Sequence, residues 1–131
     1  MTARSLLLPA PEDRRASAAA RMRWRDARLF QIHVQQLLAS EQVTFMQWLL
    51  LETIQELRDE TRAAASQIAI AERAGLTRMV VSYWMIVMDE DALVDRGPDA
   101  DGRAYRVLLT SLGERTLQRC NELLEAAGLT G

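Results

Sequence analysis

The chain has 131 residues, 49% of them hydrophobic and 26% charged, a balance that suits one globular domain and excludes the disordered and fibrous classes. Sixteen basic residues against eighteen acidic ones leave a net charge of −2, so a nucleic-acid role has to be carried by where the basic residues sit. No apolar run is long enough to span a bilayer, and the single cysteine, Cys120, excludes an intramolecular disulfide and fits a reducing compartment.

The opening stretch 1–15 contains three consecutive leucines, too few for a signal-peptide core, and reads as the flexible N-terminus of a cytoplasmic protein. From 16 to 40, Met22, Leu29, Phe30, Val34, Leu37 and Leu38 recur at the spacing of one face of a long helix. Every basic residue of the chain is arginine, and Arg14, Arg15, Arg21, Arg23, Arg25 and Arg28 crowd the start of this helix, with only Glu12, Asp13 and Asp26 nearby. A solvated helix start and a bidentate anion site built on Arg25 and Arg28 are both open readings. After a break at 39–43, Thr44 and Gln47 stand at capping-box spacing and open a second helix. It runs through Trp48, Leu49, Ile54 and Leu57 and ends in the charged stretch 58–62.

Ser66 is placed to cap a third helix over 67–73, and Ala74-Gly75-Leu76 makes a short turn with glycine where a positive φ is needed. Thr77 then caps a fourth helix reaching about Asp91. Its period turns Val81, Trp84 and Met88 inward and Arg78, Met79, Ser82 and Tyr83 outward, a mixture that suits phosphate, base-edge and thymine-methyl contacts. Met85-Ile86-Val87-Met88 leaves that part of the helix without a polar face, so the first helix or a ligand is expected to cover it.

Beyond the fourth helix the period becomes strand-like. Residues 93–96 and 104–109 are expected to pair as a hairpin across 97–103, a loop with two glycines and a proline. Asp101 stands two residues before Arg103 and is expected to orient Arg103 or Arg96, so that Arg103 projects from the tip toward DNA. Thr110 caps a last helix over 111–127 that ends at Ala127-Gly128. The resulting fold class is mainly α with a small β-hairpin wing, a winged helix-turn-helix flanked by N- and C-terminal helices.

The stretches IAERAGLT at 70–77, ALVDR at 92–96, DADGRA at 99–104 and LTSLG at 109–113 resemble the MarR family of bacterial transcription regulators. The resemblance implies a single domain over 16–131, with 16–43 and 111–131 as dimerisation helices around a winged helix-turn-helix lobe at 44–110. It further implies a homodimer on a pseudo-palindromic DNA operator, usually repressing. Arg103 matches the family's wing arginine, Asp101 its acidic partner and Ser82 a recognition-helix serine. With Thr77, Arg78, Met79, Tyr83 and Arg96 they form the expected DNA-binding set. Ala92 stands where the family usually has glycine, and Tyr83 where a basic or polar residue is common. Family ligands sit between the dimerisation helices and the lobe, and many are aromatic acids. Trp24, Arg25, Arg28, His33 and Trp48 are accordingly the expected site for an aromatic carboxylate or phenolic effector. With one histidine, one cysteine and no metal-spaced cluster, neither catalysis nor a cofactor is expected. The acidic balance and the run 85–88 keep a second reading open, a winged-helix protein-interaction module that has lost sequence-specific DNA binding.

Overall fold

A computed structural model describes residues 14–100, 102 and 105–129. The expected flexible N-terminus therefore lies almost wholly outside the described residues. The chain divides between His33 and Val34 into two units.

The first unit is helical. Helix α1 (Arg15–Leu38) contributes all of it from Arg15 to His33, and each of the residues 15–30 is exposed. Of the apolar stripe expected on this helix, Met22, Leu29 and Phe30 lie open, whereas Val34 and Leu38, which belong to the second unit, are buried.

The second unit follows α1 with a single 3-10 turn (Ala39–Glu41), then α2 (Phe45–Thr61), β1 (Ala65–Ser66), α3 (Gln67–Ala74), α4 (Arg78–Glu90), β2 (Val94–Pro98), β3 (Tyr105–Leu109) and α5 (Ser111–Ala126). Four of its helices start where a hydroxyl side chain replaces a missing helical acceptor. Thr44 accepts from the Gln47 N–H while the Gln47 side chain accepts from the Thr44 N–H, completing the capping box. Ser66, Thr77 and Thr110 accept from the N–H groups of Ala69, Val80 and Gly113. Gln35 clips the end of α1 to the start of α2, accepting from the Phe45 N–H at 2.8 Å.

The sheet has the order β1-β3-β2 and is antiparallel throughout. The hairpin is as expected, with Arg96 opposite Val107 and Gly97 opposite Arg106. The third strand was not expected: Ala65 and Ser66 pair with Val107 and Arg106, tying the start of α3 to the wing.

Two buried clusters hold the unit together. The larger joins Leu50, Leu51 and Ile54 of α2, Ile70 of α3, Val81, Met85 and Met88 of α4, and Val94 and Val107 of the sheet. The smaller gathers Val34, Leu38, Val43, Cys120 and Leu124. Trp48 packs against both. On α4 the inward residues are Val81, Met85 and Met88, with Trp84 only half-buried, edge-on to Tyr83. Trp84 still packs against the core, so Met85 joins the expected inward residues, which also changes what covers the run 85–88. Met85 and Met88 are covered by the lobe's own core, so neither the first helix nor a ligand is needed over them, while Ile86 is left exposed.

Candidate nucleic-acid interface

The candidate interface is built on the turn between α3 and α4. Gly75 takes φ 72°, a conformation that glycine reaches without a side-chain penalty, and Leu76 N–H returns to the Ala71 carbonyl at 2.9 Å. Arg73 of α3 is held by Glu56 and Glu60 of α2, which fixes α3 against α2. The same contacts raise the guanidinium pKa and keep the Glu60 carboxyl below its ordinary range, chiefly through the Arg73 hydrogen bond. This arginine is thereby committed within the protein.

From the Thr77 cap, α4 presents Arg78, Met79, Ser82, Tyr83 and Ile86 along one stripe at the i, i+1, i+4, i+5, i+8 spacing. Met79 is 82% exposed, Tyr83 62% and Ile86 44%, Arg78 is exposed and Ser82 partly so. The four outward residues expected from the period therefore do face away from the core. Ile86, expected from the sequence to be covered as part of the apolar run 85–88, is a fifth, and its place four residues after Ser82 puts it on the same stripe.

Helix α4 is electrostatically polar. Arg78 adds a cation to the positive end of the helix dipole, while Asp89 and Glu90 occupy the last turn, with no basic residue there. The helix closes with Ala92 at φ 60°, where Ala92 N–H bonds the Asp89 carbonyl and Leu93 N–H the Met88 carbonyl. The Thr110 hydroxyl donates to the Ala92 carbonyl at 2.6 Å, so one side chain caps α5 and braces the end of α4.

In the wing, strand alternation puts Val94, Val107 and Leu109 on the core face, and Arg96 and Tyr105 on the same face nearer the tip. There the Arg96 guanidinium lies over the Tyr105 ring, 4.4 Å from its centroid. Arg106 is exposed on the opposite face and lines, with Ala63, Ala64, Asp99 and Ala100, a hollow of about 510 Å³. Gly102, at φ 74°, turns the tip by donating to the Asp99 carbonyl. Asp101 and Arg103 lie outside the described residues.

The residues expected to bind an effector fall in both units. On α1, Arg21, Trp24, Arg25, Arg28 and Leu29 line an open groove of about 400 Å³, with Trp24 66% exposed. His33 is exposed and does not line that groove. In the second unit, Trp48 packs on Phe45 and donates its indole N–H to Asn121 at 2.9 Å, and Asn121 donates in turn to Glu52. Cys120 is fully buried, and burial pushes its thiol up to about 11, with Glu41 adding to the rise and Arg119 opposing it. Among the described residues no group of histidine, cysteine or carboxylate side chains is arranged to hold a metal ion, and no helix is long and apolar enough to cross a membrane.

No family model matches this sequence, and no curated protein does. Solved structures do. The M. tuberculosis transcriptional regulator MosR, in complex with DNA, is 25% identical and superposes with a TM-score of 0.72 over 84% of this chain and 77% of that one. Overoxidized AbfR bound to DNA is 18% identical, with a TM-score of 0.77 over 88% and 82%. The S. aureus MepR–DNA complex is 18% identical, with a TM-score of 0.71 over 85% and 79%.

Proposed function

We propose that this chain, which has the winged-helix fold of the MarR-family transcription regulators, is a DNA-binding regulator of transcription that acts as a homodimer. The observation that carries the reading is the α4 stripe. A helix held rigidly by the core turns Arg78, Met79, Ser82 and Tyr83 outward behind a capped, cationic N-terminus. Such a helix end enters a major groove with its first turns on the bases, and two copies in a dimer reach successive grooves about 34 Å apart. Thr77 and Arg78 are assigned to phosphates, and Met79, Ser82 and Tyr83 to base edges. Arg96, with Asp101 and Arg103 of the wing, is assigned to the flanking backbone or minor groove. DNA bound to the MosR, AbfR and MepR structures supports the assignment by analogy of fold.

The regulator is read as a cytoplasmic repressor on a pseudo-palindromic operator, released by a small aromatic carboxylate or phenol. Support for the effector comes from the α1 groove, where Trp24 offers a flat apolar face and Arg25 and Arg28 offer bidentate cations. His33, on the same helix, belongs to the proposed set, while the expected Trp48 lies in the second unit with its indole N–H already bonded to Asn121. A ligand that prefers the dimer conformation unable to span two grooves shifts the population off DNA.

The test is fluorescence anisotropy of the full chain with the DNA upstream of its own operon at low salt, repeated with benzoic and phenolic acids. Saturable binding that a ligand relieves is expected, and Arg28→Ala is expected to keep DNA affinity while losing the ligand response. Absence of binding at low salt overturns the DNA reading. It would favour a protein-interaction module, for which the net charge of −2 and the exposed Met79, Tyr83 and Ile86 are the supporting observations.

A further inference from the structure

The stripe that α4 turns outward is short of hydrogen-bonding groups. Of its five residues, Met79 and Ile86 have no polar donor or acceptor suited to a base edge, and Tyr83 offers a large ring with one hydroxyl. Only Arg78 and Ser82 are wholly polar, and Arg78 sits at the first helical position, where phosphate is the nearer partner. Exposing three large apolar side chains side by side to water is unfavourable unless a partner covers them. The charge gradient along α4 selects how that partner arrives. The acidic last turn repels phosphates, so the helix enters a groove by its N-terminal end, bringing Met79 and Tyr83 deepest and Ile86 after them.

Within the major groove one base feature rewards an apolar contact, the C5-methyl group of thymine. From Arg78 to Ile86 the helix rises roughly 12 Å, the length of about three to four base steps. We propose that Met79 and Ile86, with the Tyr83 ring between them, read thymine methyls, so that each operator half-site carries thymines at the steps they cover. Specificity is then set largely by apolar contact and desolvation, with Ser82 as the main hydrogen-bonding reader. Ile86 becomes a specificity-determining residue.

The proposal rests on the DNA-binding reading, and the experiment separates the two. Duplexes bound by the full chain are selected from a random library, and in the recovered sequence each thymine is replaced in turn by deoxyuridine, which removes the methyl and leaves base pairing intact. Losing one apolar methyl contact is expected to weaken binding about fourfold. The wild-type chain should show that loss at thymines of each half-site, and Met79→Ala and Ile86→Ala should bind the thymine and uracil forms of their respective positions alike. Both side chains are exposed, so thermal melting of the variants should match the wild type. Tight binding of the selected sequence with no thymine–uracil difference anywhere overturns the methyl reading and leaves DNA binding standing. A difference that both variants retain overturns the assignment to these residues. Failure to enrich any sequence overturns the DNA reading, and the methyl reading with it.

Discussion

Gly113 sits where the first turn of α5 passes the backbone of Leu93, and a methyl group placed on it would fall 2.1 Å from the Leu93 carbonyl oxygen. That oxygen also accepts from Thr110 N–H at 3.1 Å, so it cannot move away without breaking the junction of α4, wing and α5. Gly113→Ala is therefore an overpacking change against backbone, expected to cost about 3 kcal/mol. The urea midpoint should fall with little change in slope, and an unchanged midpoint would refute the close approach. Cys120 poses the opposite case, a side chain whose surroundings suit it. Enclosed by Val34, Leu38, Val43 and Leu124, its thiol is pushed up to about 11, chiefly by burial. An ionisable group raised on folding stabilises the native state fully below its unfolded pKa, near 8.5, and that contribution is lost as pH rises toward 11. At pH 8 the native protein should resist a disulfide reagent that labels the urea-unfolded chain readily, because the thiolate is the nucleophile. Rapid native labelling would contradict the burial and reopen Cys120 as a reactive site.

Among the elements, helix ends were the most legible part of the sequence. A cap is a contact between a side chain and backbone three residues away, so Thr44 with Gln47, Ser66, Thr77 and Thr110 announce themselves without tertiary information. Strand β1 was not legible, because its two residues gain their conformation from Val107 and Arg106, some forty positions away. The inward face of α4 was only partly legible for a related reason. Trp84 and Met85 both turn toward the core, and packing rather than period makes the flexible methionine the fully buried one. For the candidate site, the period located Arg78, Met79, Ser82 and Tyr83, while Ile86 was noticed only as part of an apolar run expected to be covered, and its exposure on the same stripe was not read. The helix termini also offer an internal comparison. Helices α4 and α5 close with the same paired bonds, from the left-handed residue to the carbonyl three back and from its successor to the carbonyl five back. In α5 that residue is Gly128, at φ 77°, and in α4 it is Ala92, at φ 60°. A left-handed alanine costs roughly 1–2 kcal/mol, part of which a glycine gives back through its freer unfolded chain. Ala92→Gly should stabilise the protein by about 0.5–1 kcal/mol, seen as a rise of a few degrees in Tm. A fall in Tm would show that the left-handed position is not strained.

For the molecule as a whole, the decisive feature is that the apolar stripe of α1 is covered along only part of its length. Val34 and Leu38 are fully buried with Cys120 and Leu124, whereas Met22 and Leu29, farther along the same helix, are about half exposed and Trp24 more so. Apolar surface of this kind, rimmed here by Arg21, Arg25 and Arg28, is typical of an interface between chains. The proposed partner is a second copy, since a recognition helix on each of two copies is what a pseudo-palindromic operator requires. Sedimentation equilibrium should return twice the 14.8 kDa of one chain. Leu29→Glu buries a charge in that interface and should shift the protein toward monomer while leaving its α4 lobe folded, because position 29 lies outside both buried clusters. The two recognition helices are then no longer linked, and affinity for a two-half-site duplex should fall by a factor on the order of 100 or more, while affinity for a single half-site changes little. A variant that is monomeric yet binds the full site as tightly as the wild type would show that the two helices do not act together.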